Sequence, residues 1–189
     1  MVDWGSGIKA AAISDLHLGH NRCDTKRMIE SLDKSLIASG LMKVLDILFI
    51  TGDVFDHLLD LSDPNVARID RWINRLFKTA VREGVKIRVL KGTPSHDHQQ
   101  PERFKLIHDI TKSECDFKYF NDIDIEFIED MQMSVLYIPD EARPTTQETQ
   151  EVVKAKLEAL GIEQVDIACM HGFFKHQLPY AVKEHTYHD

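Results

Sequence analysis

The chain has 189 residues, of which 43% are hydrophobic and 29% charged, and 23 basic against 31 acidic residues give a net charge of −8. This length suffices for one domain whose core needs no disulfide or metal staple, so we expect residues 1–189 to form a single domain. The acidic balance argues against a basic nucleic-acid-binding domain, but carboxylates that hold divalent cations remain compatible with phosphate chemistry.

Apolar runs and amphipathic segments alternate along the chain. The apolar runs predict buried strands at residues 8–13, 46–51, 85–90, 123–129, 133–138 and 165–170. Helical periodicity predicts helices over about 25–39, 64–80, 101–110 and 146–160. Asp24 and Asp63 stand in N-cap positions, Pro64 in a first helical position, and Gly161 directly after the last helix. This order predicts an α/β layered fold.

Cysteine usage and the absence of long apolar runs bear on the cellular compartment. Cys23, Cys115 and Cys169 are far apart and form no CxxC pattern, which is typical of buried thiols in a reducing compartment. No apolar run approaches the length of a membrane span, and the N-terminal sequence MVDWGSG lacks the layout of a signal peptide. We therefore expect a cytoplasmic protein that does not bind a membrane.

Polar clusters follow four of the predicted strands, at the edge where α/β folds form their ligand crevice. They are Asp15-Leu16-His17, Gly52-Asp53, His96-Asp97 and His171-Gly172. One such cluster is common in solvated loops, whereas four at the same sheet edge would converge on one site. The loop KGTPSHDHQQ, residues 91–100, adds further proton carriers and metal ligands after the third strand.

The residue types in these clusters predict a two-metal centre. Asp15 and His17 are two residues apart, so both can reach one ion where the backbone is extended. Asp53 follows Gly52, which allows a sharp turn, and the two oxygens of a carboxylate can bridge two cations. Mixed carboxylate and imidazole ligands suit Mn²⁺, Zn²⁺ or iron better than Ca²⁺. Two metals about 3.5–4 Å apart can hold a phosphate and acidify a bridging water.

Four motifs resemble those of the calcineurin-like metallophosphoesterase superfamily and follow the same order. The segments SDLHLG, GDVFD, GTPSHD and MHG correspond to its DxH, GDxxD, GNHD/E and later histidine motifs. SDLHLG together with GDVFD is most similar to SbcD-type DNA repair exonuclease subunits and related phage recombination nucleases. The resemblance covers residues 8–178 and implies the layered metallophosphoesterase fold, a β-sandwich flanked by helices (αββα).

The resemblance also implies which residues hold two divalent cations, with Mn²⁺ preferred over Zn²⁺, iron or Mg²⁺. Asp15 and His17 would bind the first metal, Asp53 would bridge both, and His171 would bind the second. The asparagine of the motif is missing, because GTPSHD stands where GNHD is expected. Ser95 precedes the motif's histidine, and we expect its hydroxyl to act as a weaker ligand in place of the amide.

The same resemblance implies roles for three further residues, either in catalysis or in holding the metal ligands in place. His96 would contact the phosphate and protonate the leaving oxygen, because a titratable imidazole suits a general acid. Asp97 would orient His96. Asp56 would act as an outer carboxylate that supports the metal ligands.

A second departure from the superfamily concerns its closing GHxH motif. Gly172 is the last glycine of the chain, and neither His185 nor His188 has the spacing or the preceding glycine of that motif. We therefore expect that the chain is C-terminally incomplete, so that each metal lacks one histidine.

The expected function is two-metal hydrolysis of phosphodiester bonds, by a DNA exo- or endonuclease in repair or recombination. One alternative is a nucleotide phosphodiesterase or phosphoprotein phosphatase, which the acidic balance favours. Another is a non-catalytic scaffold, as in the retromer subunit with this fold; the retained Asp15, His17, Asp53 and His96 argue against it, and the missing motifs argue for it. As partners, the resemblance implies a DNA or other phosphodiester substrate, an SbcC-like ATPase and a second copy of the chain.

Overall fold

Strands and helices alternate along the chain in the computed structural model, which describes residues 7–174 and 187–188. For residues 173–174 and 187–188 it describes the backbone alone. The strands are β1 (Ala10–Ile13), β2 (Ile47–Thr51), β3 (Lys86–Leu90), β4 (Phe117–Phe120), β5 (Asp124–Ile128), β6 (Met133–Ile138), β7 (Ile167–Met170), β8 (Phe173–Phe174) and β9 (Tyr187–His188). The α-helices are α1 (Thr25–Leu32), α2 (Pro64–Glu83), α3 (Pro94–Asp97), α4 (Glu102–Ile110) and α5 (Thr146–Leu160).

Strands β1 to β4 form a parallel sheet in that order, and each crossover between neighbouring strands includes at least one helix. A second sheet has the order β5–β6–β7, with β5 antiparallel and β7 parallel to β6. Strands β8 and β9 pair in parallel. The predicted α/β class, with a parallel sheet and flanking helices, is confirmed. Because β1 to β4 run in the same direction, the loops after their carboxyl ends lie at one edge.

Three clusters of buried side chains form the core, because successive residues of a strand point to opposite faces of its sheet. In β2, Leu48 and Ile50 pack with α1, α2 and α4. Ile47 and Phe49 point the other way and pack with Tyr137 of the second sheet, so the two sheets lie against each other. The third cluster joins the opposite face of the second sheet to α5.

Helix α2 illustrates how a predicted apolar stripe becomes part of the core. Its members are fully buried, at 0% exposure: Ile69, Ile73, Leu76 and Ala80. The Asp63 carboxylate accepts a hydrogen bond from the Asn65 N–H at the start, and Gly84 ends the helix in the left-handed conformation. Burial of each aliphatic side chain contributes about 1.5–3 kcal/mol, so packing rather than propensity holds this helix. Among the described residues, no helix combines the length and apolar character needed to cross a membrane.

The described elements differ most from the sequence-based prediction in three places. The helix predicted over 25–39 is an α-helix only to Leu32 and continues as a π-helix over Asp33–Ala38. Strand β4 is not predicted, because its four residues include Lys118 and pairing with β3 decides their conformation. Helix α3 is a single turn that begins at Pro94, within a segment that composition alone assigns to a loop.

A buried ion pair joins the two sheets. Arg88 of β3 is 2% exposed, and its guanidinium donates Nε–H to Glu126 Oε2 at 2.7 Å and Nη2–H to Oε1 at 2.8 Å. Burial alone would raise the pKa of Glu126, but hydrogen bonds from Arg88 and Lys118 outweigh it and hold that pKa below its ordinary value. Tyr137 also donates its hydroxyl to Glu126, at 3.1 Å.

Replacing Glu126 with glutamine should lower the free energy of unfolding by about 3 kcal/mol at pH 7, the lower end of the range for a broken buried pair, because Arg88 would lose its buried counter-charge and keep only the half-exposed Asp116 carboxylate. The pKa of Glu126 is lowered in the folded state, so its contribution is complete above the ordinary value of 4.5 and is lost as the pH falls through the folded pKa. Urea unfolding at pH 7, 5 and 3 tests this. Glu158→Gln, an exposed residue paired with Lys154, should change stability by less than about 0.5 kcal/mol.

A loss from Glu126→Gln no larger than that from Glu158→Gln would contradict a structural role for the buried pair.

Candidate metal centre

The loops that follow β1, β2, β3 and β7 meet at the carboxyl edge of the parallel sheet. Backbone hydrogen bonds join the first two loops, since the Asp15 N–H donates to the Gly52 carbonyl at 3.2 Å and the His17 N–H to that of Asp53 at 3.0 Å. After β7, His171 reaches into the same place, with its Nε2 3.1 Å from Asp53 Oδ1. The structure therefore brings four of the five predicted metal ligands to one place, and Ser95 is the exception: Asp15, His17, Asp53 and His171.

Three of these residues adopt a backbone conformation that side chains normally avoid. Asp15, His17 and Asp53 have positive φ angles of 54°, 44° and 48°. The left-handed region costs a residue with a side chain roughly 1–2 kcal/mol, although aspartate and histidine tolerate it better than most. Such conformations persist where the surrounding fold maintains them, and they concentrate at functional sites. Here they turn the side chains toward one another.

Asp15, His17 and Asp53 form a group that we call the inner group. Each offers one ligand atom, and these atoms lie within 4.8 Å of one another. His17 Nε2 is 3.9 Å from Asp53 Oδ2. Asp53 is 6% exposed, whereas Asp15 is open to solvent. Two carboxylates and an imidazole, buried on one side and accessible on the other, form a donor set suited to Mn²⁺, Zn²⁺ or iron.

His171 is held in the orientation that a metal ligand needs. Its Nδ1–H donates to the Thr51 carbonyl oxygen at 2.7 Å, which leaves Nε2 facing Asp53. A ligating histidine commonly donates its other N–H to a carbonyl in this way. Burial would lower the pKa of His171, but the Asp53 carboxylate outweighs it and the pKa lies above its ordinary value. Without a metal, the Asp53 carboxylate therefore favours the protonated form of His171.

Asp53 is the most constrained carboxylate of the centre. Burial would raise its pKa, but hydrogen bonds from His171 and Thr93 prevail, and the pKa lies below its ordinary value. The Thr93 N–H donates to Oδ1 at 2.7 Å. Its two oxygens face different histidines, since Oδ1 lies near His171 and Oδ2 near His17. This carboxylate can therefore bridge two cations.

Two glycines allow the strand-end loops to approach one another. A Cβ added to Gly52 would lie 2.5 Å from the His171 ring, and Gly52 also has a φ of +87°. A Cβ added to Gly92 would lie 2.0 Å from the Asp53 nitrogen and 2.5 Å from its Oδ1. A side chain at either position would collide with these atoms. Asp53 and His171 can therefore keep their observed positions only if residues 52 and 92 are glycine.

Gly92→Ala should displace Asp53 and lower the Mn²⁺ affinity of the chain by at least about tenfold, comparable to the loss of a residue that supports a ligand. The added methyl group should also destabilise the fold by about 1–3 kcal/mol, as overpacking does. Calorimetric Mn²⁺ titration and urea unfolding measure the two effects. The control is Gly7→Ala, where a Cβ meets open space. Unchanged Mn²⁺ affinity in Gly92→Ala would contradict the placement of Asp53 at the metal.

Asp56 and His96 lie on the outer side of the inner group. Asp56 Oδ1 is 3.5 Å from His17 Nδ1, which is where an outer carboxylate would support a ligating histidine. The His96 Nδ1–H donates to the Asp56 carbonyl oxygen at 3.0 Å. The rings of His17 and His96 meet edge to face, with centroids 5.0 Å apart. His96 is therefore next to the inner group, as its assignment as proton donor requires.

Asp97 has different partners from those that the resemblance implies. Its carboxylate is fully buried and accepts hydrogen bonds from the Phe55 N–H at 2.9 Å and the Gly92 N–H at 2.7 Å. Burial raises the pKa of this carboxyl group above its ordinary value. The described partner of the His96 ring is a backbone carbonyl instead. Asp97 thus joins the loops after β2 and β3, and it does not orient His96 by a hydrogen bond.

Thr93, and not Ser95, provides the hydroxyl at the centre. Ser95 lies in α3 and is exposed. Thr93 Oγ1 lies 3.4 Å from Asp53 Oδ2 and 3.5 Å from His171 Nε2. The sequence contains a signal for this, because Thr93 directly follows Gly92, as asparagine follows glycine in GNHD. The two extra residues of the loop come after that position, where α3 carries them outward.

The histidines considered for the missing GHxH motif cannot be assigned to the centre. His185 lies outside the described residues, and of His188 the backbone alone is described.

No protein-family model matches this chain, and no curated protein matches it significantly. The geometry of the centre therefore carries the functional interpretation.

Proposed function

We propose that this chain is a two-metal phosphodiesterase of the calcineurin-like metallophosphoesterase type that acts on DNA. One observation carries the proposal: the two oxygens of Asp53 face two different histidines, with His17 Nε2 at 3.9 Å and His171 Nε2 at 3.1 Å. A carboxylate between two imidazoles can bridge two cations, and a cation pair is the arrangement that grips a phosphate.

The side chains around the centre support the binding of divalent cations. The Thr51 carbonyl fixes the His171 tautomer, and Asp56 stands behind His17. The Thr93 hydroxyl offers a neutral oxygen on the His171 side. When bound, the two cations would neutralise the phosphate charge and lower the pKa of a water positioned for in-line attack.

His96 is the residue to which we assign proton transfer. Because a carbonyl oxygen can only accept, the bond to Asp56 requires the proton on Nδ1. The ring can then donate to substrate only from Nε2, and only in its imidazolium form. It would deliver that proton to the leaving oxygen as the phosphorus–oxygen bond breaks.

The arrangement of the core supports the same family. Helices α1, α2 and α4 pack on one face of the parallel sheet, and the other face packs on the second sheet. Helix α5 packs on the outer face of that second sheet. This order of layers is compatible with the αββα metallophosphoesterase fold and supports the proposal.

A homodimer is the partner arrangement that the surface supports. Four large apolar side chains are exposed by 52–83% in or next to a groove between the loop after β2 and helix α4: Leu58, Leu61, Leu106 and Ile110. Asp60 and Lys105 also line the groove, so two copies related by a twofold axis can pair opposite charges across it. We propose that the groove binds its counterpart in a second copy.

Light scattering tests the dimer. Leu106→Glu should shift the chain toward the monomer, whereas Leu160→Glu should not. Leu160 is the matched control, because both side chains are 52% exposed but Leu160 lies on α5, away from the groove. A wild-type monomer at all concentrations would contradict the dimer without affecting the metal centre.

The proposed function is tested by measuring cleavage of end-labelled duplex and single-stranded DNA with Mn²⁺, against the same reactions with a chelator. We expect metal-dependent hydrolysis of DNA. Hydrolysis of cyclic nucleotides or phosphopeptides with intact DNA would favour the small-substrate alternative. Mn²⁺ binding without hydrolysis of any of these substrates would contradict catalysis by this chain and favour a scaffold.

A further inference from the structure

A second group of metal-binding side chains surrounds Asp56, on the solvent side of the inner group. His17, Asp56 and His96 each offer one ligand atom within 4.8 Å of one another, and all three are half-buried. We call these three residues the outer group. The proposed function uses Asp56 as a support and His96 as an acid, and it assigns no ion to them.

His17 provides an independent indication of a ligand at this place. Its Nδ1 is buried and has no hydrogen-bond partner, although Asp56 Oδ1 lies only 3.5 Å away. A buried polar atom without a partner is costly and therefore rare. A cation between Nδ1 and Oδ1 would provide the missing interaction for Nδ1.

His96 is already oriented as a metal ligand. Its Nδ1–H donates to the Asp56 carbonyl at 3.0 Å, so Nε2 keeps its lone pair in the neutral ring. A backbone carbonyl behind a ligating imidazole fixes the tautomer in the same way in many metal sites. The His96 ring meets that of His17 edge to face, with centroids 5.0 Å apart, so the two imidazoles are direct neighbours.

We propose that the outer group is a zinc site, separate from the inner group. Two imidazoles and one carboxylate, with water in a fourth position, are a common donor set for Zn²⁺. The inner group has two carboxylates and one imidazole, which suits Mn²⁺ better. Two more histidines border Asp56, with His57 Nδ1 at 3.1 Å and His20 Nε2 at 3.9 Å from its oxygens. This density of nitrogen donors favours a transition metal over Mg²⁺ or Ca²⁺.

Occupation of the outer group has a consequence for the inner one, because the two share His17. A neutral imidazole has one free lone pair, so His17 can bind an inner ion through Nε2 or an outer ion through Nδ1, but not both. Zn²⁺ at the outer group would also occupy His96. Zn²⁺ should therefore inhibit the chain; this consequence rests on the proposed function, whereas zinc binding itself does not.

The test compares Zn²⁺ and Mn²⁺ affinities of the metal-free chain and three variants by titration calorimetry. His96→Asn should weaken Zn²⁺ binding by at least about tenfold and leave Mn²⁺ affinity within about twofold. Asp15→Asn should do the reverse. His98→Asn is the matched control, because His98 is an exposed histidine of the same loop with a φ of 50° that asparagine tolerates, and it should change neither affinity.

Zn²⁺ affinity that falls in Asp15→Asn but not in His96→Asn would overturn the proposal, because zinc would then occupy the inner group. Anomalous diffraction from zinc in wild-type crystals gives a readout that needs no variant. A peak within about 2.0–2.2 Å of the Asp56 carboxylate supports the outer site. A peak bound by Asp15 and Asp53, or at histidines elsewhere, overturns it whether or not the chain cleaves DNA.

Discussion

Asp53→Asn should remove Mn²⁺ binding at the centre and reduce DNA cleavage to the background rate. The variant loses the negative charge that faces both His17 and His171, and an amide offers a single oxygen where a bridge needs two. Removal of a residue that merely supports a ligand costs about 10–100-fold in metal affinity, so loss of the bridge should cost more than about 100-fold. Calorimetric titration with Mn²⁺ and rates on labelled DNA measure the two effects.

Asp24→Asn is the control for this experiment, because Asp24 is an exposed aspartate that caps α1 by accepting a hydrogen bond from the Lys26 N–H, which asparagine also accepts. Its Mn²⁺ affinity and rate should equal those of the wild type. Mn²⁺ binding by Asp53→Asn at wild-type strength would place the metal elsewhere and refute the bridging role.

His96→Ala should leave Mn²⁺ affinity nearly intact and lower turnover on DNA by about 10²–10⁴-fold, the usual contribution of a general acid. The loss should shrink for a p-nitrophenyl ester, whose leaving group needs no proton. The structural reason is that His96 is bound through Nδ1 to the Asp56 carbonyl and stands beside the inner group without belonging to it. Parallel Mn²⁺ titrations and rates on both substrates separate the two roles.

His98→Ala provides the comparison, since it removes an exposed imidazole from the same loop and should affect neither quantity. If His96→Ala abolishes Mn²⁺ binding as completely as Asp53→Asn does, His96 is a ligand of that metal. The proton donor would then have to be sought elsewhere.

Prediction from sequence succeeded where local chemistry decides the structure. The α5 bounds of Thr146 and Leu160 match the prediction, because Thr145 caps the helix and Gly161 ends it in the left-handed conformation. The buried stripe of α2 follows from helical periodicity in the same way. Strand β4 was missed because a four-residue segment has little pattern of its own and depends on its partner β3.

The candidate site shows the same division. Motif order was enough to select Asp15, His17, Asp53 and His171, because loops after parallel strands share one edge and the structure brings these side chains together. Motif order did not predict the hydrogen-bond partners of Asp97, nor that Thr93 rather than Ser95 lies at the centre. Both depend on how the loop after β3 folds over the loop after β2.

The sequence by itself determined the α/β class, most of the elements and the set of side chains at the strand ends, because these depend on periodicity, caps and direction along the chain. Only the tertiary structure decided that Gly92 approaches Asp53, that Thr93 rather than Ser95 faces His171, and that Asp97 binds two backbone N–H groups. Such contacts join residues about 40 or more positions apart, or follow the exact course of a loop. Their geometry is set by the packing of whole strands, which local sequence patterns do not specify.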